Sequence, residues 1–192
     1  YGATFNYWLK APAARAPRLT ILDAQGRTIR TLTGTNVAGI NRVTWDLRDT
    51  PGKAVRLLTP PMYVPDVVVP AEGREAPGTA QISLLVAPGT YSVKLTVGDV
   101  EQTRQVEVRK DPNSSGTVAE IEQQLRMVSA IRTDMDRAAD AVARIESVRV
   151  QLDALGRAVT DAEVRRAATA LAGKLVELEM TLVDLRQTGN GQ

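Results

Sequence analysis

The spacing of apolar residues changes once along this chain, and that change constrains the fold more than any other feature. Before residue 113, apolar and polar residues alternate in short runs that Gly and Pro interrupt, which is the pattern of antiparallel strands. After residue 116, apolar residues recur every three or four positions, which is the pattern of amphipathic helices. The predicted fold class is therefore α+β in series: a β-sandwich over 1–112, a linker over 113–116, and an antiparallel helical hairpin over 117–188.

The first part contains several short strands and one long interruption. A strand from 41 to 47 places Trp45 on the same face as Val43 and Leu47, so Trp45 is predicted to anchor the core. Residues 49–79 hold six of the ten prolines and predict a long excursion, with at most a short strand at 63–69. Short strands separated by turns are typical of an immunoglobulin-like sandwich. The other predicted strands cover 4–9, 18–24, 28–33, 81–86, 90–97 and 101–109.

The second part carries helix start and stop signals. Thr117 and Glu120 form a capping box, in which each side chain can satisfy a backbone N–H of the first turn. Gly156 predicts the end of the first helix, and Thr160 with Glu163 predicts the start of a second. A short connection requires the two helices to be antiparallel. The predicted helices cover 117–155 and 160–187.

The two predicted helices differ in length. At about 1.5 Å per residue the first spans about 57 Å and the second only about 40 Å, so apolar residues at the start of the first helix lack a partner. An uncovered apolar surface of this kind is typical of an interface. We expect it to contact the sandwich, a further helix, a protein partner or a second copy, the last giving a homo-oligomer. This surface, called the seam below, consists of Val118, Ile121, Leu125 and Val128.

Composition excludes several classes of function. The chain has no Cys and no His, so thiolate metal sites and His-based triads are excluded, and we predict no catalytic, cofactor-binding or metal-binding residue. The net charge of +2 is not concentrated in either half, which argues against nucleic-acid binding. No run approaches the roughly 18 apolar residues of a membrane span. Because the chain opens at Tyr1 without Met, we expect it to be a piece of a longer protein.

Three groups of side chains are candidate functional sites. Asp46 and Asp49 lie near Trp45 and could form a glycosidase carboxylate pair, but an Asp before a Pro-Gly turn usually accepts backbone hydrogen bonds. Five aromatic residues could form a sugar-stacking platform, although the core needs most of them. A helical acidic group could suggest a cation site, but with Arg132 and Arg137 interleaved it is interpreted as a solvated face with weak ion pairs within the helix. The aromatic residues are Tyr7, Trp8, Trp45, Tyr63 and Tyr91, and the acidic group is Asp134, Asp136 and Asp140.

Several sequence runs resemble known bacterial modules. The immunoglobulin-like module of the flagellar hook-capping protein resembles L-T-I-L-D-A-Q-G-R-T-I-R-T-L at 19–32, G-I-N-R-V-T-W-D-L-R at 39–48 and P-G-T-Y-S-V-K-L-T-V at 88–97. With Y-G-A-T-F-N-Y-W-L-K at 1–10 and V-R-K-D-P at 108–112, the chain resembles more closely the region after the β-propeller in bacterial sortilin-like, BNR/Asp-box repeat proteins. This resemblance implies a secreted or periplasmic parent, often labelled a glycosyl hydrolase.

The leading hypothesis is a non-catalytic structural and interaction module from the C-terminal part of such a propeller protein. Its helices would contact the propeller or a protein partner. One alternative is a carbohydrate-binding accessory module of a glycosyl hydrolase, which requires at least two coplanar exposed aromatics. Another is an enzyme that hydrolyses its substrate with carboxylates, since neither His nor Cys is present.

Overall fold

The structure, a computed structural model, describes residues 2–78 and 81–187. Antiparallel strands precede two helices, so the predicted order of α+β in series is confirmed. The first helix is longer than the second, as the sequence predicts. The strands are β1 (Ala3–Leu9), β2 (Arg18–Leu22), β3 (Thr28–Thr33), β4 (Gly39–Trp45), β5 (Arg56–Leu57), β6 (Arg74–Glu75), β7 (Gly89–Val97) and β8 (Val100–Val108), and the helices are α1 (Val118–Ala158) and α2 (Ala162–Glu179).

The chain divides into two compact units that differ from the predicted domains. Unit 1 comprises Tyr1–Pro51 and Ser83–Ala130, and unit 2 comprises Gly52–Ile82 and Ile131–Gln192. The expected linker at 113–116 therefore lies inside unit 1, which includes the start of α1. All of the excursion except its first three residues belongs to unit 2, because its apolar residues pack in the same cluster as helical residues.

Unit 1 contains two antiparallel sheets. One has four strands in the order β3-β2-β7-β8, and the other pairs β1 with β4. Alternation places one face of each sheet inward, so Tyr7 and Val43 meet Leu19 and Val93 in a shared core. Trp45 is fully buried, confirming its predicted place in the core. Its indole N–H donates to the carbonyl oxygen of Arg48 at 2.8 Å.

One predicted strand of the first part, at 81–86, is wrong, and the short strand allowed at 63–69 does not form. Residues 81–86 form only an isolated bridge, between Leu85 and Arg48, because backbone groups near Leu84 bond to Asp49 instead of a continuous neighbouring strand. The run at 63–69 contains turns instead, since Pro65 interrupts it. The strand predicted to reach residue 47 ends at Trp45, because Leu47 adopts a left-handed backbone with φ 59°.

Unit 2 combines the excursion with the rest of α1 and with α2. Leu57 and Ala76 from the excursion share a buried cluster with Val142 of α1. Val183 and Leu185 complete this cluster from the segment after α2. The short β5 and β6 pair within the excursion and align Leu57 with the cluster.

The helix boundaries correct three expectations. The Thr117 and Glu120 capping box is confirmed, with the Glu120 amide 3.2 Å from the Thr117 hydroxyl. The first helix continues through Gly156, and Asp161 rather than Thr160 caps α2 by accepting two backbone N–H groups. The end predicted at 187 is wrong, because α2 stops at Glu179 and the chain then folds back in turns.

Candidate functional site

An open groove lies between β1 and the β7–β8 half of the large sheet, and we call it the strand groove. Its cavity volume is about 970 Å³, and all of its lining residues belong to unit 1. The groove exists because the two-stranded sheet is too narrow to cover the four-stranded sheet that faces it. Core-type side chains therefore remain accessible along it. The apolar side chains that line it include Phe5, Tyr7, Leu9, Leu95, Val97 and Val106.

Two strand edges border the strand groove. Among the described residues, β1 pairs only with β4, and β8 pairs only with β7. Each strand therefore presents backbone N–H and C=O groups along one side, and such edges readily pair with another extended chain. β1 provides seven residues of edge and β8 provides nine.

The inward face of β8 changes character along its length. Its register with β7 places Arg104 opposite the buried Val93, and Gln102 opposite Leu95, so both polar side chains point into the strand groove. Val100, at the far end of the same face, is 62% exposed. The part of β8 that the small sheet does not cover is therefore the part with polar or exposed inward residues.

The charge in the strand groove is one-sided. Of the residues that the structure describes, Lys10 and Arg104 line the groove and no carboxylate does. The neighbouring Glu101 lies on the outer face, where its carboxylate is 3.1 Å from Lys94. Hydrogen bonds from Lys94 and Thr96 hold the pKa of Glu101 below its usual value. That carboxylate is thus engaged away from the groove.

An apolar pair is exposed on the outer face of the small sheet. Trp8 on β1 lies directly opposite Ile40 on β4, and their exposed fractions are 66% and 79%. Trp8 also lines the strand groove. The edge strand of this sheet therefore presents apolar surface on both of its faces.

Sequence analysis missed the strand groove, although part of its signal is visible in the sequence. The strand predicted at 101–109 has Val106 and Val108 inward, and alternation continues this face to Arg104 and Gln102. Polar residues at inward positions indicate a strand that extends beyond its cover. Whether the small sheet covers all of β8 depends on the order of the strands in the sheets. The local spacing of apolar residues does not reveal that order.

The structure places three of the four seam residues together. Ile121, Leu125 and Val128 are half-buried and line a cavity of about 460 Å³ with strand-region residues of unit 1, among them Leu47 and Leu84. The fourth, Val118, is exposed. Contact of the seam with a partner or a second copy stays a prediction.

Asp46 and Asp49 bond to the backbone, as the non-catalytic interpretation predicts. The Asp46 carboxylate accepts the amide N–H of Arg48 at 3.1 Å, and that of Asp49 accepts the amide of Leu84 at 2.7 Å. Both side chains thereby stabilise the irregular chain after β4. The fully buried Trp45 beside them is not available to stack on a sugar.

The acidic group on α1 does more than form a solvated face. Asp134 pairs with Arg137 within the helix, as predicted. Asp136 instead accepts the backbone N–H of Lys53 at 2.7 Å, and Asp140 pairs with the Lys53 ammonium at 2.6 Å. Residues 2–78 and 81–187 contain no group of three or more acidic side chains arranged to hold a metal ion. Two of these carboxylates therefore attach the excursion to the helix.

A buried pair of carboxylates, Glu146 on α1 and Glu179 on α2, was not predicted. Both are fully buried, and one nitrogen of Arg149 bonds to Glu146 at 2.6 Å and to Glu179 at 2.7 Å. Glu146 also accepts the amide N–H and the hydroxyl of Thr59, at 2.6 and 2.7 Å. The spacing of Glu146 and Arg149 is that of an ordinary surface ion pair, so the sequence gives no signal of burial.

Glu179 in this pair has a pKa far above that of an ordinary carboxyl group. Burial and, after it, the negative charge of Glu146 raise the pKa of Glu179, while Arg149 opposes both effects, and the result is a pKa of about 7. The Glu179 Oε1 atom is buried without a hydrogen-bond partner in the described structure. Burial also lowers the pKa of the nearby Arg74 guanidinium. These groups join both helices to the excursion within unit 2.

The five aromatic residues do not form one platform. Trp45 and Tyr7 are core residues, and Tyr91 packs edge-on against Trp45 with ring centroids 5.6 Å apart. Trp8 is exposed in unit 1, whereas the exposed Tyr63 belongs to unit 2. The pair of coplanar exposed rings that sugar stacking requires is not seen among the aromatics described in unit 1.

In the part of the chain that the structure describes, neither helix combines the length and apolarity needed to cross a membrane. Comparison of the chain with protein-family models, with curated proteins and with solved structures found no match. What the strand groove can bind is therefore indicated by its geometry and its charge.

Proposed function

We propose that this chain is a non-catalytic interaction module, that its two sheets form an immunoglobulin-like sandwich, and that it binds an extended polypeptide segment in the strand groove. One observation carries the proposal: the apolar groove lies beside an unpaired edge of β1. A strand added to that edge would widen the small sheet and cover inward side chains of the large one. Recognition by strand addition takes affinity from backbone hydrogen bonds and specificity from alternate side chains.

The length of the bound segment would follow from the length of β1. A segment matching the seven residues of β1 would extend about 23 Å at a rise of about 3.3 Å per residue. Sheets that face each other lie about 10 Å apart, which leaves room for one layer of inward side chains. Alternate residues of the segment would thus meet Leu95, Val97 and Val106.

The test uses the full chain labelled for NMR and the synthetic peptide Thr-Val-Thr-Val-Thr-Val-Thr. Binding is expected to shift the amide resonances of β1 and β8 at millimolar peptide concentrations. Val100→Asp places a charge in the groove and should weaken binding, whereas Thr103→Asp places the same charge on the outer face of β8 and should not. Unchanged spectra, or equal effects of both variants, would contradict the proposal.

The cellular setting is a separate part of the proposal. We propose that the chain belongs to the C-terminal part of a secreted or periplasmic β-propeller protein, on the basis of the runs at 1–10, 19–32, 39–48, 88–97 and 108–112. Sequencing the gene around this segment tests it. Asp-box repeats encoded upstream would support this setting, and an unrelated upstream region would contradict it.

A further inference from the structure

We propose that the segment bound in the strand groove belongs to another polypeptide and carries a carboxylate at its centre, opposite Arg104. This inference rests on the proposed function and names the chemistry of the partner. Arg104 is the middle residue of β8, and its side chain points inward. A carboxylate placed centrally on an added strand would therefore meet its guanidinium.

Charge complementarity is the reason for choosing an acidic partner. The described residues that line the groove include two cations and no carboxylate, and the described contact of the Arg104 guanidinium is the carbonyl of Thr103 at 3.1 Å. Glu101 and Glu107, on the outer face of the same strand, are engaged by Lys94 and Arg109. An apolar segment without a carboxylate would cover Arg104 and leave its charge unpaired, which is costly.

A second cation sets the orientation of the segment. Lys10 directly follows β1 and lies at one end of the groove, while Arg104 lies at the middle of β8. A further acidic residue or a chain terminus carrying a carboxylate would be favoured at the Lys10 end. A basic side chain would be disfavoured at both positions, which gives the groove selectivity as well as affinity.

The alternative role for Arg104 is protective. Inward-pointing charges on edge strands discourage pairing with a second copy. Under this alternative Arg104 would repel any added strand, and its removal would increase self-association. The two roles make opposite predictions for an acidic peptide.

The experiment compares three peptides on the full chain, with Glu, Gln or Lys at the central position of Thr-Val-Thr-Xaa-Thr-Val-Thr. At low ionic strength the Glu peptide should bind about fivefold more tightly than the Gln peptide, and the Lys peptide most weakly. Arg104→Gln should abolish the preference for Glu over Gln. Arg18→Gln, which removes a charge from the outer face of the same sheet, should leave the preference intact.

The possible outcomes distinguish the acidic partner from the proposed function. Binding of all three peptides with equal affinity would overturn the acidic partner and leave the proposed function standing. No binding of any peptide would overturn both. Self-association of the unmodified chain through β1 would also overturn this inference, because a second copy would then occupy the groove. An increase in self-association of Arg104→Gln with no change in peptide preference would overturn it as well, because Arg104 would then have the protective role.

Discussion

Trp45 both fills the core of unit 1 and fixes the chain that follows β4. Its ring packs against Tyr91, and its indole N–H holds the carbonyl of Arg48. Trp45→Ala should lower the free energy of unfolding by about 3–5 kcal/mol, because it opens a large cavity and removes that hydrogen bond. Denaturant titration measures the change.

Trp8→Ala is the matched control, since Trp8 lies on the outer face of β1 and is largely exposed. Its free energy of unfolding should change by no more than about 0.5 kcal/mol. Equal effects of the two substitutions would contradict the assignment of inward and outward faces.

Glu179 makes the stability of unit 2 depend on pH. Its folded pKa of about 7 lies above the value of 4.5 expected for an unperturbed Glu, so between these values the folded chain retains a proton that the unfolded chain loses. Stability from this group is fully present below pH 4.5 and is lost as the pH rises through 7. Glu179→Gln should remove the part of the decline in stability with rising pH that comes from this group.

Thermal unfolding at pH 5 and at pH 8 measures this effect. The difference in midpoint between the two pH values should be smaller for Glu179→Gln than for the unmodified chain. Glu163→Gln, an exposed change in the first turn of the same helix, provides the control. A decline with pH that is identical in all three chains would exclude Glu179 as its source.

At the scale of elements, the start of α1 is stabilised by more than its cap. Ile121 and Leu125 line a cavity with Leu47 and Leu84, so replacing both helical residues with Ser removes apolar contacts in unit 1. We expect a loss of about 1–3 kcal/mol in the free energy of unfolding and faster hydrogen exchange over residues 118–128. Met127→Ser, on an exposed face of the same helix, should have little effect.

Two results would separate the interpretations of the seam. A drop in oligomeric mass after the double substitution, measured by light scattering, would show that the seam also binds a second copy. No change in stability, exchange or mass would contradict any role for the seam as a contact surface.

Local signals predicted most elements but not where they end. The alternation around Trp45 and the Thr117 capping box predicted β4 and the start of α1, because both depend on residues close in sequence. The leucine spacing predicted that the second helix continues to residue 187. Leu185 instead lies in a turn after α2 and is buried there. An apolar residue in a turn can fill the core of unit 2 as well as one in a helix can, so the spacing alone does not fix the end of the helix.

At the scale of the whole molecule, the division into units could not be predicted from composition. The polar joint at 113–116 has the residues of a linker, yet the excursion packs with helical residues, since Leu57 and Val142 share a core. The strand groove was missed for a related reason. It depends on which sheet faces which, a long-range property that spacing does not encode.

This division changes the expected behaviour of a fragment of residues 1–112, the predicted sandwich. In that fragment the excursion loses Val142 and Leu185, its partners in the unit 2 core. Limited proteolysis should therefore cut within 52–82 while the strands of unit 1 remain protected. Protection of 52–82 equal to that in the full chain would contradict the assignment of the excursion to unit 2.

The proposed binding of an extended acidic segment along the edge of β1 can be observed directly. Contacts between protons of the labelled chain and the unlabelled peptide Thr-Val-Thr-Glu-Thr-Val-Thr, measured as intermolecular nuclear Overhauser effects, test it most directly. We expect regularly spaced backbone contacts from the peptide to β1, together with contacts from its Glu to Arg104. Peptide contacts confined to the seam or to the outer face of β8 would contradict it.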